Sequence, residues 1–111
     1  EITREKLKAL READAIVRAE TEKGGHDKRL WQYFAVYVPQ KTVGVKGDAR
    51  VYEDVCVLRF VSSVDAMTAE ATRLPLDELC EIANQIVNQV PGVNRVVYDL
   101  TGKPPATIEW E

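Results

Sequence analysis

The sequence predicts an α+β domain, a two-layer sandwich in the order α-β-β-α-β-β, with two helices over one face of a small, mostly antiparallel sheet. Two segments, residues 3–22 and 75–90, place apolar side chains at helical spacing. Four others are rich in β-branched and aromatic residues, and Gly or Pro punctuates the junctions.

The first helix starts at Thr3, a residue type that caps helix N-termini, and runs to about Glu22. Leu7, Leu10, Ala13 and Val17 make its apolar face, and Gly24-Gly25 ends it. Tyr33 to Val38 reads as the first strand. Pro39 interrupts it and Thr42 to Val45 resumes it, which points to a strand edge, end or bulge. After a turn at Gly47-Asp48 comes a long strand, Val51 to Val61. It carries Val55 and Val57 on one side and Cys56, Leu58 and Phe60 on the other, so both faces should be covered. Residues 62–74 read as a loop with a short helical turn. Pro75 suits the first turn of the second helix, whose stripe is Leu76, Leu79, Ala83, Ile86, Val87 and Val90. Pro91-Gly92 stops it. Strand Val93 to Leu100, a turn at Thr101-Gly102-Lys103-Pro104 and a last strand through Ile108 and Trp110 complete the order.

The chain has 111 residues, so 1–111 is read as one domain. Glu1 stands in place of an initiator Met, and the chain is expected to be a fragment of something longer. A 45% hydrophobic content fits a folded domain. No apolar run approaches the roughly 18 residues of a membrane helix, and no secretory signal opens the chain. The net charge of -3 argues against broad nucleic-acid binding. Cys56 and Cys80 sit in apolar runs without motif spacing and read as reduced core thiols of a cytoplasmic protein. Two helices cannot cover both sheet faces. A face showing residues such as Tyr37, Tyr52 and Phe60, or their opposites, is expected to pair with a second copy.

No catalytic set is visible. His26 lies in the polar run GGHDKR and reads as a solvated loop residue. There is no zinc spacing and no Walker loop, and Asp65, Glu70 and Asp77 read as solvated rather than as metal ligands. The last eighteen residues, NRVVYDLTGKPPATIEWE, are more specific. Arg95 and Lys103 flank the expected hairpin and could converge on a phosphate, Arg as a planar fork and Lys as a point charge. Pro104-Pro105 would stiffen the turn, N–H groups near Thr107 and Ile108 could add donors, and Glu109 could accept from a ribose hydroxyl or a base N–H. From residue types alone, surface salt bridges are the better account.

The terminal run Asn94 to Asp99 followed by Lys103 to Glu111 resembles the end of GMP synthetases. Upstream, Thr42 to Tyr52 is similar to that family's VGV-x-GD-x-R-x-Y segment, Met67-Thr68-Ala69 and Leu74-Pro75 to its MTA…LP stretch, and Leu10 to Asp14 to its LREAD helix. The resemblance spans essentially the whole chain. It implies the C-terminal dimerisation domain of an enzyme that adenylates xanthosine monophosphate (XMP) with ATP and displaces AMP with glutamine-derived ammonia to give GMP. The implied partners are a second copy through the sheet, the ATP pyrophosphatase domain of the same chain, a glutamine amidotransferase domain or subunit, and XMP. ATP and Mg belong to the full enzyme, and none of its cofactors to this segment. By matching positions, the resemblance implies XMP contacts at Lys103, Ile108, Glu109, Arg95 and Gln32, with Thr107 a further candidate. Asp48 and Arg50 belong to a family segment, with no role assigned to either. The competing readings are a dimerisation module without a ligand role and an RNA-binding KH domain. For the latter, Gly44-Val45-Lys46-Gly47 spells the loop motif, but between strands rather than helices.

Overall fold

The structure, a computed structural model, describes residues 3–30, 32–63, 69–103 and 105–110. Helix α1 spans Arg4–Lys23. The Thr3 hydroxyl accepts from the Lys6 N–H at 3.1 Å and caps its first turn. A single 3-10 turn, Asp27–Arg29, leads into β1, Gln32–Lys46. Strands β2, Ala49–Ser63, and β3, Ala69–Ala71, follow, then helix α2, Leu76–Gln89, and β4, Val93–Tyr98.

β2 is the centre of the sheet. β1 runs antiparallel along one side of it, from Gln32 opposite Val61 to Lys46 opposite Ala49. The other side is shared: β4 lies parallel against residues 54–58, and β3 antiparallel against residues 61–63. Between the two, the Asp99 N–H donates to the Leu58 carbonyl and the Thr72 N–H to the Phe60 carbonyl, so the edge is continuous. The expected α+β sandwich forms, with a parallel pair at its heart and β3 where residues 62–74 were expected to turn helically. Residues 64–68 of that stretch lie outside the description, and with them Asp65, Met67 and Thr68.

Pro39 does what its chemistry requires. It has no N–H to give a ladder, and the β1–β2 register shifts between Val38 and Thr42. Past the shift the two strands continue as an arm that turns at Gly47, whose φ of 64° favours glycine. Asp48 and Arg50 stand exposed at its tip. The arm bends to meet β4. Asn94 Nδ2 donates to the Thr42 carbonyl at 2.8 Å, and Arg95 Nη2 to the Val43 carbonyl at 3.1 Å. A side chain at Gly44 would stand 2.7 Å from Asn94 Nδ2, so it would displace the Asn94 amide from its place at this crossing.

Both helices pack on one face. Ala9, Ala13 and Val17 of α1 and Ile82, Ile86 and Val90 of the α2 segment meet Cys56, Leu58 and Phe60 of β2 and Val93 of β4. Phe60 stacks on Tyr33 at 6.2 Å and tilts against Tyr98 at 5.8 Å. The stripes differ from expectation at their ends. Leu7 is on the margin and Leu76 is 72% exposed, while Ala9 and Ile82 join the core. Phe60 is fully buried and Tyr37 packs against the same core, so neither belongs to an open face; Tyr52 does stand exposed, on the arm. Cys56 is buried, and burial pushes its thiol up to about 12. Cys80 is exposed on α2, because its position turns away from the buried stripe, and so is not a core thiol. His26 is not a solvated loop residue either: its Nε2 lies 2.9 Å from Glu78 Oε1, between the end of α1 and the start of α2.

A half-buried carboxylate, Asp14, ties α1 to the sheet, and a buried one, Asp54, ties β2 to β1. Asp14 of α1 accepts from the Ala35 N–H at 3.0 Å, on the outer edge of β1. Asp54 of β2 accepts from the Tyr37 hydroxyl and pairs with Lys41 Nζ at 3.2 Å. Burial pushes the Asp54 carboxyl up, but the Tyr37 and Lys41 contacts outweigh it and hold the group below the usual carboxylate range.

Candidate functional site

The final strand expected through Ile108 and Trp110 does not form. Residues 99–103 and 105–110 instead run as a folded tail across the sheet face that the helices leave open, with a turn closed by the Ala106 N–H on the Gly102 carbonyl at 3.1 Å. The reason lies beneath it. Arg59 of β2 alternates away from Leu58 and Phe60, onto the open face, and is completely buried. Its Nε donates to the Ile108 carbonyl at 3.1 Å, Nη2 to the Thr107 carbonyl at 2.7 Å, and Nη1 to the Thr101 carbonyl at 2.5 Å. Nη1 also reaches the Asp99 carbonyl at 3.5 Å and Asp99 Oδ2 at 3.4 Å. Carbonyls that a strand would offer to a neighbouring backbone are taken by one side chain.

Asp99 carries the arrangement outward. Its Oδ1 accepts from the Thr101 N–H at 2.9 Å and its Oδ2 from Trp110 Nε1 at 3.0 Å, which fastens both ends of the tail to one carboxylate. Ile108 supplies the apolar contact, buried against Val61 and Phe34. Val57, Arg59 and Val61, the second face of the central strand, are thus covered as the apolar pattern of β2 required, and the cover at Arg59 and Val61 is the tail.

The candidate residues fall into two groups. Ile108 is the buried foot of the tail. Thr107, exposed, donates its hydroxyl to the Glu109 carbonyl, and the Glu109 side chain is exposed beside it. Lys103 is half-buried in the turn. Gln32, at the start of β1, is in register with Val61, the residue Ile108 packs on, so it borders the same end of the sheet. With Arg18, Tyr33 and Phe34 it lines a shallow cavity of about 270 Å³. Arg95 stands apart. It is in register with Val55, and the run from Val55 to Val61 along β2 is roughly 20 Å at a strand rise of about 3.3 Å per residue. No hairpin joins Arg95 to Lys103, because beyond the Asp99 N–H, which still bonds the Leu58 carbonyl, the chain turns into the tail. Pro104, expected to stiffen the turn, lies outside the described residues, as do Trp31 and Glu111.

The tail therefore presents a cation, a carboxylate and a hydroxyl on a backbone pinned from below. Among its described residues no nucleophile is paired with a base, and Cys56 is shut in the core on the opposite face. Such a set can bind and orient a polar, anionic molecule. Arg59 escaped the reading of the sequence, although a signal existed: a lone Arg inside the apolar run VCVLRFV needs buried acceptors.

Among known proteins, residues 19–110 match the GMP synthase C-terminal domain. The chain is 56% identical over its full length to the GMP synthase (glutamine-hydrolyzing) of Geobacillus kaustophilus, covering 22% of that protein. It is 59% identical to that of Thermomicrobium roseum and 60% identical to that of a Synechococcus strain, covering 21% of each. The chain thus spans about a fifth of the length of these curated relatives. Among the described residues no helix is long and apolar enough to cross a membrane. On this match, which takes in both helices, the sheet and the tail, the chain belongs to the GMP synthase C-terminal domain family.

Proposed function

We propose that this chain is the dimerisation and XMP-binding part of a cytoplasmic GMP synthase, a ligase that makes GMP from XMP with ATP and glutamine-derived ammonia. The observation that carries this reading is the full-length identity of 56–60% to GMP synthases, with the tail included. The ATP pyrophosphatase and amidotransferase functions, with ATP and Mg, belong to parts outside this chain. The domain's share is binding. Lys103 meets the phosphate, Glu109 accepts from the sugar or base, and Ile108, Thr107 and Gln32 border the ligand. Binding energy gathered at the phosphate, remote from the reacting carbon, orients the purine for adenylation.

The test is Lys103→Ala in the full-length enzyme, beside Arg95→Ala. Lys103→Ala should raise the KM for XMP about ten-fold or more, the loss of one charged hydrogen bond, with the KM for ATP unchanged. Wild-type XMP kinetics in that variant would remove Lys103 from the site. Because Arg95 lies off the tail cluster, its variant decides separately whether it meets the nucleotide.

Dimerisation rests on the exposed apolar groups of β4 and the arm: Val97 is 43%, Tyr52 62% and Val45 73% exposed. Sedimentation equilibrium of the chain should give a dimer. A strict monomer at every concentration would assign these groups to another part of the parent enzyme.

A further inference from the structure

We infer that Arg59 is the positioning residue of the proposed XMP site. From the centre of the sheet it sets the path of the tail, and so fixes where Lys103 and Glu109 stand. The inference rests on the reading of the tail as the XMP site and adds a residue that touches no ligand.

The geometry carries it. A guanidinium has five N–H donors in a rigid fork. Here Nε, Nη1 and Nη2 are all engaged with the tail, at the carbonyls of residues 99, 101, 107 and 108, and the charge is met by Asp99. The bonded carbonyls lie on both sides of Lys103, and the Ile108 carbonyl directly precedes Glu109. Both proposed ligand groups are therefore held by backbone whose acceptors are committed below. Apart from Ile108, the tail has little apolar anchorage: residues 105, 107, 109 and 110 are exposed. Without the fork, the bonds that define its path disappear, and the buried Ile108 carbonyl loses its donor. Lysine cannot substitute, since its three donors radiate from one atom.

The role also suits the chemistry proposed for the site. A binding loop ordered before its ligand arrives loses less conformational freedom on binding. The fork orders the loop from within the domain, and leaves the exposed surface of the tail to the nucleotide.

The experiment uses the full-length enzyme with Arg59→Lys, Asp99→Ala and Lys103→Ala, read by steady-state kinetics and by amide hydrogen exchange. Arg59→Lys should raise the KM for XMP about ten-fold or more, with the KM for ATP unchanged. It should speed exchange at the tail amides, such as Ala106, and leave the α1 and α2 amides at wild-type protection. Asp99→Ala should shift the same quantities in the same direction by a smaller factor, and decides the matter if Arg59→Lys does not fold. Wild-type tail exchange in the folded variants would overturn the inference, as would faster exchange spread equally over the tail and both helices. Lys103→Ala keeps the two readings apart. If it leaves the KM for XMP unchanged while Arg59→Lys still frees the tail, the XMP assignment fails and the clamp stands. If it raises the KM while Arg59→Lys changes neither the KM nor tail exchange, the assignment stands and the clamp fails.

Discussion

The two faces of the central strand are closed by different physics. On one, Cys56, Leu58 and Phe60 lie under two helices, and the contacts are apolar, numerous and non-directional. On the other, Arg59 and Val61 lie under the tail, held by one guanidinium, one carboxylate and one buried isoleucine. Burial against the helices stabilises the whole domain. The bonds to Arg59 mainly set a path. A face closed by a few directed bonds can open locally while the other remains intact, and low local stability is common in segments that engage ligands.

The comparison predicts unequal effects of similar truncations. Ile86→Ala, from the middle of the helix-covered core, should destabilise the chain by about 2–5 kcal/mol in urea unfolding. Ile108→Ala removes a side chain of the same size from under the tail. It should reduce global stability by roughly 1 kcal/mol, yet strongly raise hydrogen exchange at residues 101–110. Equal losses of global stability would mean that tail and core open as one unit, and would break the contrast.

The helix face should also show itself in alkali. Burial, with Asp14 adding to it, raises the Cys56 thiol to about 12 in the folded chain, against roughly 8.5 when unfolded. A raised pKa contributes stability that is complete below the unfolded value and is lost as pH rises toward the folded one. Stability should therefore decline from about pH 8.5 upward, with Tyr98, raised to about 12, joining from about pH 10. Cys56→Ala should flatten the first part of the decline; an unchanged slope would mean that the thiol is not shut in. The smallest effect is expected at Cys80. It should react with a thiol reagent in the native chain without loss of stability, while Cys56 stays protected until unfolding.

Much of this domain was legible because its elements follow local rules. Thr3 caps, Gly24 and Gly92 terminate or turn, Pro39 breaks a register, and two periodicities separate helix from strand. The tail was misread for a reason that no local rule covers. Ala106 to Trp110 carries strand-like residues, but a strand needs a free neighbour, and the edge beside β4 is not what receives these backbone groups. Arg59 does, from more than forty positions earlier in the chain. For the same reason Arg95, in register with Val55, and Ile108, packed on Val61, lie at different ends of the run they share along β2.

By itself the sequence determined the class of fold, the places where elements begin and end, the buried stripe, and the run of tail residues that marks the family. Those are properties of neighbours in the chain: propensity, periodicity and capping act over a few residues. Only the tertiary structure decided which face the tail covers, what holds it there and which candidate residues share a site. Those depend on where a buried charge finds acceptors, and the acceptors of Arg59 come from a segment that meets it only after the sheet has formed.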